Sequence, residues 1–276
     1  MMIDQRRKMI LYVSMAFITL VTVFPFLWMM MLSFKPSTEI IRNPMSWPQS
    51  FDFHNYINAL ATLNLPRMYF NTFTICILAI IIQLTITFLS SFVLARMEFN
   101  KNIKNSIYSF LILGLTISPF ILLFPVFRIN LLVGMREKAG LLMPYVATSI
   151  SFNTLLLVGF MKGLPKEIDE AALIDGCNLW QLMFRVILPV TKPVIATVII
   201  FNVLYIWNEY PFASIMLRNI ENYTLSMGAA FFRGKFSVDY GGIIASSVMI
   251  IIPQLIFYGL FQKNIVDGIT TGAVKG

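Results

Sequence analysis

The residue types that usually perform enzymatic chemistry are scarce here, and their spacing does not suit it. His54 is the only histidine, so a zinc site or a Ser-His or Cys-His relay has almost no raw material. Cys76 stands in an apolar run and Cys177 in a polar loop, a context that argues against a disulfide, and neither has a metal-ligand spacing. No G-x-x-x-x-G-K-[ST] stretch occurs, so the chain cannot build a phosphate-cradling P-loop. What remains is hydrogen bonding from within apolar runs. Gln83, Thr87 and Ser91 recur at i, i+4, i+8; Ser151 and Asn153 interrupt a second run; Asn202, Tyr205 and Glu209 follow helical spacing in a third. Such groups either line a path for a polar solute or bond helices to one another at about 0.6 kcal/mol a contact. Glu209, in Trp207-Asn208-Glu209-Tyr210, reads either as part of that path or as a hydrated interfacial charge.

The elements that must hold these residues cross a bilayer. The 276 residues are 58% hydrophobic and 12% charged, with mean hydropathy +0.77, whereas soluble domains carry about 25% charged residues. Six apolar stretches reach or approach the roughly 20 residues that a spanning helix needs: Met9–Leu32, Tyr69–Ala95, Ile107–Phe127, Ala139–Met161, roughly Val190–Asn208, which alone holds a charge at Lys192, and Gly241–Phe261. The fifth is short and must borrow residues at one end. Pro25, Pro119, Pro125, Pro144 and Pro253 predict kinks rather than breaks. Arg6-Arg7-Lys8 before the first run imitates a signal peptide, but the run is far longer than the roughly 7–15 residues of a signal core and reads as a retained span. The fold class is therefore an all-α integral membrane protein with six transmembrane helices, read as one domain over 1–276.

Six spans put both termini on one side. With that side cytoplasmic, its loops hold Arg6, Arg7, Lys8, Arg96, Lys101, Lys104, Lys162, Lys166, Arg185, Lys192, Lys263 and Lys275, more than half of the 21 Lys and Arg. This bias favours N-in, C-in. The net charge of +8 then marks basic loops over an anionic leaflet, not a nucleic-acid partner. The outer loops are 33–68, 128–138 and 211–240, and Trp28, Trp207, Tyr205 and Tyr210 read as an interfacial aromatic belt.

The one sizeable cytoplasmic loop, about 162–192, reads as two short helices. Pro165 suits a first turn, and Glu167, Asp169 and Glu170 place negative charge where the helix dipole favours it. Gly176 is a natural stop, and Asn178 with Gln181 resembles a capping box. Trp180, Met183, Phe184 and Ile187 form an apolar stripe at i, i+3, i+4, i+7, and Pro189 ends the second helix. A small-residue, acidic helix braced by an apolar one fits a partner's groove; the same pattern also suits a loop lying on lipid headgroups.

Glu170-Ala171-Ala172-Leu173-Ile174-Asp175-Gly176, followed by Val186-Ile187-Leu188-Pro189, resembles the EAA signature of ABC importer permeases in spacing and in location before the penultimate span. The likeness covers nearly the whole chain: Pro25-Phe26, Ser33-Phe34-Lys35, Asn71-Thr72, Trp207-Asn208-Glu209, Thr224-Leu225, Pro253 and the tail Gly268 to Gly276 all match, with Tyr240-Gly241 in place of the commoner Trp-Gly. The chain is similar to the smaller permease subunit of maltose-type carbohydrate importers, of the MetI-like fold. That resemblance implies a bacterial inner-membrane protein that is not an enzyme and binds no cofactor. It implies ATP bound and hydrolysed by two separate ATPase subunits, a second permease subunit, an extracytoplasmic sugar-binding protein and a sugar substrate. It further implies that Glu170, Ala171, Ala172, Asp175 and Gly176 form the surface coupling to the ATPase. The candidates for the substrate path come from the polar residues within the spans: Asn153, Asn202, Tyr205, Glu209 and Gln83.

A permease of this kind for a polyol phosphate, polyamine or amino acid shares the EAA loop and is the nearest alternative. A gradient-driven carrier needs ionisable groups at mid-membrane, which these spans lack. An intramembrane protease needs an in-membrane histidine or acid pair, and His54 lies in a loop.

Overall fold

The computed structural model describes residues 5–232 and 238–273, the side chains of 6 and 263–273 excepted. Every regular element among them is a helix: α1 (Gln5–Leu32), α2 (Ser37–Arg42), α3 (His54–Thr62), α4 (Leu65–Arg96), α5 (Lys101–Leu113), α6 (Pro119–Val133), α7 (Glu137–Gly163), α8 (Glu167–Ile174), α9 (Leu179–Gln181), α10 (Leu188–Asn208), α11 (Pro211–Met216) and α12 (Tyr240–Ala273). Five helices among the described residues are long and apolar enough to cross a membrane, or six if the bent pair of α5 and α6 counts as one span. The tail motif begins within α12, but its last residues, Val274-Lys275-Gly276, lie outside the described residues.

The chain divides into two compact units, Met1–Leu65 with Gly228–Pro253, and Pro66–Met227 with Gln254–Gly276. In the first, α1 buries none of its apolar stretch. The chain leaving it is tied by Lys35, fully buried, whose Nζ donates to the carbonyl of Asn43 (3.1 Å), to the carbonyl of Ser46 and to Ser46 Oγ (3.0 Å), with Glu39 at 3.7 Å. Asn55 bonds the carbonyls of Ser33 and Lys35. The Ser33-Phe34-Lys35 match is thus an internal joint of an extramembrane loop, where buried polar groups are bonded.

In the second unit the expected third span is not one kinked helix. The short 3₁₀ turn Gly114–Thr116 extends α5, and α6 departs at 104°. Pro119 is the cause: the residue before a proline is driven out of the helical region, and Ser118 is extended at φ −65°, ψ 130°. Pro25, Pro125, Pro144 and Pro253 sit inside continuous helices, as does Pro193.

Pro189 does not end a helix either. The chain is helical from Leu179 to Asn208, 30 residues, through a π-turn over Leu182–Ile187 in which the Leu188 N–H reaches the Met183 carbonyl. The register shift falls just before Pro189, which has no N–H to offer, so the ladder is interrupted where the ring tolerates it. This continuity also removes the shortfall in the fifth span.

Candidate functional site

Two regions of the second unit gather the candidate residues. The first is α8 and its turn. Lys166 caps α8, with Pro165 one position further out than a first turn. Glu167, Asp169 and Glu170 occupy the opening turn, favourable to the helix dipole. Gly176, at φ +77°, ends the element: its N–H meets the Leu173 carbonyl and the Cys177 N–H that of Ala172, both at 3.0 Å. This left-handed position suits glycine. Asn178 and Gln181 then form a reciprocal capping box.

The two faces of α8 differ. Ala172, 6% exposed, enters a cluster with Phe88, Phe92, Met161, Leu182, Met183 and Ile187, against which Ile168 and Cys177 also pack. Glu170, Ala171, Asp175 and Gly176 are exposed, and so are Leu173 and Ile174, the latter at 86%. Of the five expected coupling residues, four therefore share the open surface and Ala172 is the anchor beneath them. The apolar stripe of the following helix is split: Met183 and Ile187 are buried, whereas Trp180 and Phe184 stay exposed and stack at 5.8 Å.

Sequence reasoning missed Arg96 and undervalued Asp169. The side chain of Arg96, at the end of α4, is 4% exposed; its Nε pairs with Asp169 Oδ2 at 2.8 Å, and its two Nη atoms donate to the carbonyls of Met161, Leu164 and Pro165. An arginine closing a predicted span on the same side of the membrane as the acidic loop was the available signal.

The second region is a cavity of about 500 Å³ between the Gly114–Thr116 turn, the start of α6, α7 and α10. Thr148, Phe152, Phe201, Asn202 and Tyr205 line it. Gly114 brings the turn close to α7, where a Cβ would force the Ser151 hydroxyl to turn away. Phe152 and Phe201 meet edge-to-face at 5.4 Å, and Thr148 Oγ1 and Tyr205 Oη lie 3.3 Å apart. Asn202 Nδ2 donates to Asn153 Oδ1 (2.8 Å) and to the Val198 carbonyl (2.7 Å). Sequence reasoning did not single out Thr148, Phe152 or Phe201, although Thr148 with Phe152 and Phe201 with Tyr205 stand at i, i+4.

The candidate path residues thus separate. Asn202 and Tyr205 face the cavity and Asn153 orients Asn202 from behind. Gln83 is fully buried, lines no part of this cavity, and its amide has no hydrogen-bond partner among the described residues. Glu209 is neither in the cavity nor hydrated: at 6% exposure it accepts from Tyr145 Oη and from the N–H groups of Phe212 and Ala213. Burial raises its pKa, and those three bonds oppose the rise. Nor does the expected aromatic belt survive intact. Trp207 is buried against Tyr69 (6.0 Å) and Phe73 (5.5 Å), and Tyr205 faces the cavity, because both project into the helix bundle rather than toward lipid.

The sequence pattern of the family described as "Binding-protein-dependent transport system inner membrane component" matches residues 86–270. The diacetylchitobiose uptake system permease protein NgcG of Streptomyces coelicolor is 30% identical, over 99% of this chain and 90% of its own length. The trehalose/maltose transport system permease protein MalG of Thermococcus litoralis is also 30% identical, over 98% of both chains. Among solved structures, a chain of a bacterial ABC transporter involved in the import of the acidic polysaccharide alginate superposes with a TM-score of 0.78 at 19% identity, covering 95% of this chain and 99% of that one. That likeness is one of fold.

Proposed function

Because this chain belongs to the family of binding-protein-dependent transport system inner membrane components, we propose that it carries a sugar or oligosaccharide across the bacterial inner membrane, driven by ATP hydrolysed on separate ATPase subunits. It is a multi-pass membrane permease component, not an enzyme. Residues 1–276 act as a single transmembrane domain, N-in and C-in, beside a second permease subunit. Two ATPase subunits dock on the cytoplasmic face, an extracytoplasmic sugar-binding protein delivers the substrate outside, and this chain needs no cofactor of its own. The relatives' names support the sugar assignment, since they transport diacetylchitobiose and trehalose or maltose.

The observation that carries the coupling role is the two-faced α8. Glu170, Ala171, Asp175 and Gly176 are open to a partner while Ala172 is bolted to the cluster beneath. Small residues allow close approach, the acids suit a basic groove, and the cluster keeps α8 packed on the spans as it moves as a rigid body. The cavity supplies a matching solute site. With both Asn202 amide hydrogens committed, its Oδ1 is left to accept from a hydroxyl, and Phe152, Phe201 and Tyr205 offer the aromatic walls of a small-molecule pocket. Glu209 and Gln83 then support the path from outside it.

Reconstitution tests the reading. In lipid vesicles the purified chain alone hydrolyses no ATP. Hydrolysis and uptake of radiolabelled maltose, trehalose or diacetylchitobiose appear together once the second permease, the ATPase subunits and the binding protein are added. Turnover by the contaminant-free chain alone would overturn it.

A further inference from the structure

We propose that Arg96 and Asp169 form the mechanical link by which motion of α8 reaches the membrane spans, making both of them positioning residues for the transport cycle. This rests on the coupling role of α8 and adds to it a pair outside the exposed docking surface. One guanidinium holds three elements together. It is the last residue of α4. Its Nη1 accepts no freedom from solvent: it donates to the Met161 and Leu164 carbonyls at 3.1 and 2.9 Å, the orphan end of α7. Its Nη2 donates to the Pro165 carbonyl at 2.9 Å, and its Nε pairs with Asp169 in the first turn of α8. Asp169 precedes Glu170, so the ion pair lies on the side of α8 turned toward the spans while Glu170 faces out.

The apolar cluster under Ala172 presses α8 onto the spans but is non-directional and lets a short helix slide. A planar, nearly buried guanidinium that donates three hydrogen bonds through its Nη atoms and holds a carboxylate 2.8 Å from its Nε is directional, and it converts tilt of α8 into displacement of the ends of α4 and α7 together. Loss of the Asp169 charge therefore leaves α8 packed and exposed but loosely geared.

The test needs no known substrate. In the assembled complex, with Cys76 and Cys177 replaced by alanine, a maleimide reports cavity access at Thr148→Cys with and without ATP and vanadate. Without Asp169→Asn the labelling rate responds to nucleotide. With Asp169→Asn the ATPase subunits still co-purify and still hydrolyse ATP, but the nucleotide response shrinks by roughly fivefold or more, the lower end of ordinary coupling factors. Asp169→Glu, which keeps the charge, restores most of it. Arg96→Ala also exposes three carbonyls to a failure of folding, so Asp169→Asn is the deciding variant. A full nucleotide response in Asp169→Asn overturns the link, as does loss of the ATPase subunits from that variant, which would make the pair a fold determinant only. Absence of any nucleotide response before Asp169 is changed would instead sink the coupling role of α8 itself.

Discussion

Tyr145 Oη donates a 2.8 Å hydrogen bond to Glu209 Oε2 across 64 residues of sequence, joining α7 to the start of α11. The other carboxylate contacts come from the Phe212 and Ala213 N–H groups at 2.7 and 3.1 Å, so the side chain of Glu209, one residue before the Tyr210 N-cap, caps the first turn of α11. Glu209→Ala leaves two buried N–H groups and a phenol unpaired, each costing about 1–3 kcal/mol. The thermal midpoint of the solubilised protein should fall by several degrees, and by much less for Tyr145→Phe. An unchanged midpoint in Glu209→Ala would refute the capping role.

The same carboxyl sets a pH dependence. Burial holds its native-state pKa above that of the unfolded chain, so the native state binds more protons and stability falls as pH rises through that window. The window opens at the ordinary glutamate range and extends upward to the raised native value. Denaturation of the solubilised protein followed from pH 4 to 8 (about the range of interest for a raised carboxyl) should show this slope, and Glu209→Gln should flatten it.

Gly176 turns the chain at φ +77° with nothing near its missing Cβ, so a side chain there is strained by the backbone and not by contact. Gly176→Leu costs about 1–2 kcal/mol locally and misplaces the exposed face of α8, as Glu170→Lys does by charge. Both should abolish uptake at unchanged membrane abundance. Uptake at the original rate in either variant would remove the coupling surface from the proposal.

Tyr205→Phe keeps the aromatic wall of the cavity and deletes the hydroxyl beside Thr148. If the cavity takes the solute, the half-saturation constant for uptake should rise about 5- to 10-fold, the worth of one hydrogen bond, with the maximal rate little changed. Phe110→Ala, on an exposed face of α5, serves as the comparison. Equal effects of the two substitutions would place the solute elsewhere.

Sidedness is open to thiol labelling. Ile174, at 86% exposure, is a better reporter than Cys177, which is half-buried against the cluster. In a Cys177→Ala background, Ile174→Cys should react with an impermeant maleimide in inside-out vesicles and not in intact spheroplasts, and added ATPase subunits should protect it. Labelling from outside would invert the topology, and labelling indifferent to the ATPase would return α8 to the lipid surface.

Much of this protein was legible along the chain because the deciding forces act within a turn or a span. Uncharged length against hydrocarbon thickness gives the six spans, and Asn178 with Gln181 and the glycine at 176 give the limits of the loop helices, since caps are satisfied by residues three or four apart. The break at Ser118-Pro119 was equally local, but its sharpness depends on the packing that receives α6. Only the tertiary structure decided which polar side chains meet: Asn202 with Asn153, Tyr145 with Glu209, and Arg96 with Asp169. A buried polar group must find a partner wherever the neighbouring helix presents one, and that depends on helix rotation and neighbourhood, which periodicity along one helix does not encode. For the same reason spacing alone drew Glu209 toward a solute path, and packing made it the cap of a helix.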